Sequence, residues 1–380
     1  MVEKLTNKQT IYLLLICLIG TKFQRLPSFL SDIAGKGFWV ALLIYMIIDG
    51  FFLLLTLRIL RLGNGATLYN IIENTIGKVF AKIIFVILGI YFFALTILPY
   101  EAIHEVFSDI IFDSLPWKYF ALFLLIAMGA MVISGLRNIG RICQFFFYMI
   151  LIGVVGLFLL GLSTSDLTAI LPISDVSSMI FDGIHKSTMW FGNFTVLYVL
   201  MGHIKERKNE TYGGIKIAFF IGSIFVTAAF IVFYGIYQSG TPLKRNLLTK
   251  ISQFALLSLD IGRPDWFLIL FAEFATILTA AVFMYCSAYC FREVFKSKQI
   301  NFISYALLLI LYVYTAFIAK EKLQIFRIII SYGAILGIIV QYVFPILFII
   351  LAVIYNKRIN EKGQMKPLKN IKKHKVECEA

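Results

Sequence analysis

Lys22 and Arg25 stand where a cation is costly. Ile11 to Ile19 is uniformly apolar and the chain is apolar again from Ile33; between them lies GTKFQRLPS, Gly20 to Ser28. With about 1.5 Å of rise per residue, Lys22 falls roughly 16 Å and Arg25 roughly 21 Å past Ile11. Both then lie near the middle of a hydrocarbon core about 30 Å thick. Such a cation costs about 2.5–3.5 kcal/mol at a helix centre, so the segment must face a polar cavity or an opposite charge. A guanidinium holds a carboxylate through two parallel hydrogen bonds, which makes Arg25 a candidate anion clamp. The competing reading satisfies Arg25 internally or with outer water. Lys22 is a second candidate ligand contact, or a fixed or titrating cation in place of a coupling ion, against the alternative of a lysine that snorkels.

Two acids are candidate counter-charges. Asp49 lies near the middle of the second apolar run, beside Gly50, and Glu273 lies in the eighth. The expectation is that Glu273 pairs with Lys22 or Arg25. Trp190, Phe191, Gly192 and Asn193 interrupt the sixth run and offer backbone groups and an aromatic lid. Tyr91 and Thr96 on the third run offer an opposite wall. With Gly20, Thr21 and Gln24 from the first interruption these residues form the expected ligand-binding set. Core packing is the competing role for the aromatic members. His104, His185, His203 and His374 are scattered, and Cys286 and Cys290 sit one helical turn apart in an apolar run. Neither pattern is a metal site, and no nucleophile–base set appears, so neither enzyme activity nor a cofactor is expected.

The elements that must position these groups are membrane helices. Hydrophobic residues make up 60% of the chain and its mean hydropathy is +0.87. The apolar runs are continuous, without the alternation of barrel strands, so the fold class is all-α integral membrane. Ten transmembrane helices are expected: Ile11–Ala34, Phe38–Leu60, Ala81–Ile103, Tyr119–Gly135, Ile139–Leu162, Ser187–His203, Ile215–Tyr237, Trp266–Phe291, Phe302–Ala319 and Ile328–Tyr355. Gly20 loosens the first helix. Pro27 removes a donor and disfavours helix at Leu26, so Gly20 to Pro27 reads as an unwound turn. Gly192-Asn193 breaks the sixth. Discontinuous helices 1 and 6, five spans apart, are the signature of a five-plus-five inverted repeat, with repeat one over about 11–162 and repeat two over about 187–355.

Residues 1–10 form a polar leader that enters the first span with no signal-peptide cleavage pattern, and 356–380 form a lysine-rich tail. The net charge of +14 is explained by topology, not by nucleic acid. Cations gather in the leader, in alternate connections and in the tail, which puts both termini in the cytoplasm and draws the tail to anionic lipid heads. The acidic segment Glu101 to Trp117 reads as an amphipathic helix along the outer face. Leu247 to Ile261 reads as a short outer helix, and Pro345 as a kink in the last span.

Several of these stretches together resemble the permease-like B subunits of spore nutrient germinant receptors. The opening Leu5 to Ile44 carries Gln9 in a polar leader, Ile19-Gly20, Pro27, Ala34-Gly35 and Trp39. SGLRNIGR at Ser134 to Arg141, DLTAILPI at Asp166 to Ile173, DGIHKS at Asp182 to Ser187 and DIGR at Asp260 to Arg263 follow in order. The resemblance runs from Leu5 to about Tyr355. It implies the amino acid–polyamine–organocation superfamily fold in the inner membrane of a dormant spore. It also implies a small polar germinant, often an amino acid, bound near the midplane by the broken first and sixth helices with the third and eighth, and A-type and C-type partner subunits. The unwound turn of that family is mostly small and apolar, whereas here it holds Lys22, Gln24 and Arg25. The family's acid on the eighth helix corresponds to Asp265, which leaves Glu273 particular to this chain. A proton-coupled amino-acid transporter acting without partners is the alternative expectation.

Overall fold

The structure is a computed structural model that describes residues 4–110, 117–170, 186–204, 209–244, 246–256, 265–297, 299–315 and 322–359. Among these, regular structure is helical apart from one isolated parallel bridge between Leu5 and Ile204. The helices are α1 Asn7–Lys22, α2 Leu26–Ala34, α3 Phe38–Leu62, α4 Leu68–Ile76, α5 Lys78–Ile110, α6 Trp117–Ile133 and α7 Leu136–Thr164. They continue as α8 Val196–Leu200, α9 Asn209–Tyr237, α10 Leu247–Leu256, α11 Asp265–Phe295, α12 Ile300–Val313, α13 Lys322–Ile338 and α14 over 344–359.

Among the described residues, six helical runs are long and apolar enough to cross a membrane: Leu26–Leu62, Lys78–Phe107, Leu136–Thr164, Glu210–Leu243, Trp266–Phe295 and Ile330–Ile359. They fall at the expected second, third, fifth, seventh, eighth and tenth spans, and the shorter apolar helices Ala121–Ile133 and Ile300–Val313 fall at the fourth and ninth. The expected first and sixth spans are the two that come apart.

α11 is the central helix. It packs most extensively on α5, then on α7 and α1. Its inward face is built from small residues, with Ala275, Thr279, Ala281 and Ser287 fully buried, and small residues let helix backbones approach closely where lipid supplies no hydrophobic drive. Ile47, Phe51, Phe123, Phe145, Phe220 and Phe302 are exposed, each more than half, as lipid-facing side chains are.

α1 begins in a reciprocal cap. The Gln9 amide donates to Thr6 Oγ1, and the Thr6 amide donates to Gln9 Oε1 at 3.0 Å. The Leu5 amide donates to His203 O at 2.7 Å. Leu5 also lies against Gly140, and Gly202 lies against Thr67. Asn64 donates to Asn356, Arg358 donates to Asn74 O, and Lys296 pairs with Glu73. These contacts gather the leader, four connections and the last helix at one end of the bundle. At the opposite end the Asp166 amide donates to Gly235 O at 3.1 Å. There Thr168 donates its amide and hydroxyl to the Asp166 carboxylate, whose pKa the hydroxyl bond lowers from the ordinary value.

Three expectations change. First, α1 stays helical to Lys22, and only Phe23–Arg25 is unwound before α2 starts with Pro27 in its first turn. Gly20 therefore does not loosen the helix. A Cβ there would sit 2.6 Å from Ala275 O, so the glycine is what lets α1 and α11 touch. Second, Glu101 to Ile110 is not a separate surface helix, because α5 runs unbroken through Pro99. Glu101, Ile103 and Val106 are buried in the body of the bundle, which holds this end of α5 on the same axis. Third, where a kink at Pro345 is expected, the structure has a π-helical turn, Ile339–Val343, just before that proline. Pro345 has no N–H for the carbonyl four residues back, which favours a local change of register. The short helix expected from Leu247 is α10, ending at Leu256. Its expected remainder to Ile261, the segment 111–116, Asp182 to His185, Asp260 to Arg263 and the tail from residue 360 lie outside the described residues.

Candidate functional site at the paired helix breaks

The segment expected as the sixth span is interrupted at Gly192-Asn193, as the sequence predicts. A 3-10 turn, Thr188–Trp190, gives way to extended backbone at Phe191, a left-handed residue at Gly192 with φ of 73°, and a second 3-10 turn, Asn193–Thr195, that leads into α8. An L side chain is strained at that φ, and a Cβ there would also strike Gln341, so glycine meets two demands at once.

The two breaks lie against each other. Lys22 is entirely buried, and its Nζ donates to Trp190 O at 2.5 Å. The same Nζ sits 4.4 Å from the centroid of the Phe191 ring. Asn193 Nδ2 donates to Cys17 O at 3.0 Å and to Thr21 Oγ1 at 2.9 Å. The Thr21 hydroxyl donates back to the α1 carbonyls. Thr279 on α11 donates to Ile16 O at 3.1 Å, so α1 is clamped from both sides.

Asp49, on α3, is 1% exposed, and its two oxygens accept from the Gly192 amide at 3.1 and 3.0 Å. It is the acid that acts electrostatically on Lys22. From the last span, Gln341 Nε2 has three acceptors: Tyr91 Oη at 2.8 Å, Thr188 O at 2.8 Å and Phe191 O at 3.1 Å. Phe191 meets Tyr45 edge-on, and Trp190 packs on Phe29.

Thr21, Lys22, Trp190, Phe191, Gly192, Asn193 and Tyr91 are thus brought together. The others are elsewhere. Gln24 folds back so that its Nε2 donates to Gly20 O at 2.5 Å. Thr96 is buried and gives its hydroxyl to Phe92 O of its own helix. Arg25 points to the end of the bundle opposite the leader, where both its Nε and Nη2 donate to the Glu105 carboxylate, the Nε bond at 2.9 Å. The expected pairing of Glu273 with Lys22 or Arg25 is therefore wrong. Glu273 is buried with its Oε2 unpartnered, while Glu105 forms the ion pair with Arg25, and Asp49 is the acid whose charge acts on Lys22 without a direct ion pair. The sequence ranked the acids by helix, but register along the axis decides which meets which cation.

The family profile described as "Spore germination protein" matches residues 4–325. The chain belongs to the spore germination protein family. A curated relative is Spore germination protein B2 of Bacillus subtilis (strain 168), 21% identical over 207 residues, which are 54% of this chain and 56% of that protein. The matched stretch thus spans little more than half the length of that relative. Family membership and the apolar helices together make this a multi-pass membrane protein.

In this spore germination protein sequence reasoning missed Glu105, the partner of Arg25, and Gln341. The signal for Gln341 was there: a lone amide inside a long apolar run, four residues before a proline. A π turn inside a helix often marks a functional position. An open groove of about 540 Å³ lies on the lipid-facing side between α3 and α9, lined by Met46, Gly50, Phe51, Leu54, Lys216 and Phe220 among others, and no residue of the breaks lines it. A gap of about 20 Å³ touches Asn193 and Phe194, room for about one water molecule.

Proposed function

We propose that this protein is the permease-like subunit of a spore nutrient germinant receptor. On this reading it has ten transmembrane helices in a five-plus-five inverted repeat, with both termini cytoplasmic. It binds a small polar germinant, an amino acid foremost, at the paired breaks near the membrane midplane. It passes a conformational change to A-type and C-type partner subunits.

The observation that carries this reading is the join between the two breaks. Lys22, Thr21 and the carbonyl of Cys17 on one side meet Trp190, Phe191 and Asn193 on the other through four contacts. Unwound backbone at membrane depth is tolerated only where protein or a water-lined cavity satisfies it, and such places are where transporters bind substrate. Family membership supports the spore setting. The name of the B2 relative supports it too.

The test is nutrient-triggered germination of spores in which this chain replaces the resident copy. Asn193→Ala, which removes the clip from break to break, should shift the nutrient concentration for half-maximal response by about tenfold, worth about 1.4 kcal/mol. The variant should still accumulate with its partner subunits. An unchanged dose response would remove the breaks from ligand binding.

The buried ionisable groups Lys22, Asp49 and Glu273 favour one second reading, a proton-coupled amino-acid transporter without receptor partners, because intramembrane charges often mark proton and ion paths. Uptake of labelled amino acid by vesicles holding this chain alone would select it.

A further inference from the structure

Two groups contact Lys22 Nζ, the Trp190 carbonyl at 2.5 Å and the face of the Phe191 ring with its centroid at 4.4 Å, and the Asp49 carboxylate, beyond ion-pair distance, adds a favourable charge from α3. A carbonyl acceptor, a π face and a carboxylate are the parts from which a site for an ammonium ion is made. Each comes from a different kind of structure: unwound backbone, an aromatic side chain and the neighbouring helix α3. All three are buried, Trp190 and Phe191 at 2% exposure and Asp49 at 1%. The cation among them belongs to the chain itself.

We infer that the paired breaks form an ammonium site that Lys22 occupies as a tethered internal cation. The consequence for ligand class rests on the reading that these breaks bind the germinant. A ligand ammonium would have to displace one held by a covalent tether. A ligand carboxylate brought to Lys22 would sit beside Asp49, a like charge in a dry setting. The part of the ligand that meets this point is therefore uncharged: a hydroxyl, an amide or an apolar side chain.

Truncation tests the tether directly. Lys22→Ala removes the three methylenes and the ammonium that n-propylammonium replaces. The purified variant should unfold at lower temperature than the parent. Propylammonium should restore it saturably, the isosteric neutral n-propanol should not, and neither should shift the parent. Equal effects of the two additives on Lys22→Ala, or none, overturn the ammonium site.

If Lys22→Ala does not fold, Lys22→Met fills the same volume without the charge. The loss in Lys22→Met should be partly regained on adding Asp49→Asn, and simple additivity of the two losses overturns the proposal. Failure of the parent reading shows up separately. Amine rescue of the purified protein, together with an unaltered nutrient response of Asn193→Ala spores, would keep the ammonium site and discard the breaks as the germinant pocket.

Discussion

The Gly192 amide donates to both carboxylate oxygens of Asp49, at 3.1 and 3.0 Å. This bond joins the middle of α3 to the point where the sixth span comes apart, across 143 residues of chain. Breaking a helix inside a membrane frees backbone donors that lipid cannot satisfy. Asp49 accepts one of them and also lies in the electrostatic reach of Lys22. A single acid thus serves the backbone of one break and the cation of the other.

Asp49→Ala should cost about 1–3 kcal/mol beyond the lost volume, because it leaves a buried amide without an acceptor. Asp49→Asn keeps an oxygen for that amide and should retain slow hydrogen exchange at Gly192, whereas Asp49→Ala should not. Exchange at residue 192 measured on both variants decides this, and equal protection in both would rule out the carboxylate as the acceptor that matters.

Gln341→Leu should destabilise the protein more than Tyr91→Phe. The first removes the donor shared by the Thr188 and Phe191 carbonyls and by Tyr91, and the second removes only one partner of that donor. At about 1 kcal/mol for an ordinary hydrogen bond and about 1–3 kcal/mol for each buried group left unpaired, the difference should exceed about 1 kcal/mol. Thermal unfolding in a fixed detergent measures it. A milder loss for Gln341→Leu would show that the π turn does not hold the sixth-span break.

The Arg25–Glu105 pair and Glu273 separate by double-mutant cycles. The pair is partly exposed, at 19% and 14% for the two side chains. Its coupling should be about 1 kcal/mol, so Arg25→Glu with Glu105→Arg should regain much of what either loses alone. Glu273→Gln combined with Lys22→Met or Arg25→Gln should be additive. Coupling of Glu273 to either cation would return it to the ion-pair role that its unpartnered Oε2 argues against.

Gly20→Ala and Gly213→Ala should differ in sign. The new methyl at Gly20 would meet the Ala275 carbonyl at 2.6 Å, on a backbone that cannot yield cheaply, and overpacking of this kind costs about 1–3 kcal/mol. At Gly213, in α9, nothing lies within 4 Å, and alanine should be neutral or gain up to about 1 kcal/mol from helix propensity. Parallel thermal melts of the two variants are sufficient. Matching losses would mean that α1 does not depend on close approach to α11.

The order of the helices was legible from the amino acids because membrane helices are written in continuous apolar runs and their interruptions in glycine, proline and charge. Lys22 after nine apolar residues, and Gly192-Asn193 inside the sixth run, announced both breaks. The burial of Lys22 followed from the same pattern. The sequence could not say which acid meets which cation. Asp49, Glu105 and Glu273 sit on three helices far apart in the chain, and a shift of a few residues along a helix axis moves a carboxylate by several Å, enough to make or lose an ion pair. Nor could it show that Gly20 serves close packing and not unwinding, or that Gln341 reaches back to the sixth-span break. Those facts depend on how α1, α11 and the last span lie against one another. Only the packed tertiary structure determines that, because between helices in lipid the energy lies in close contact and hydrogen bonds more than in hydrophobicity.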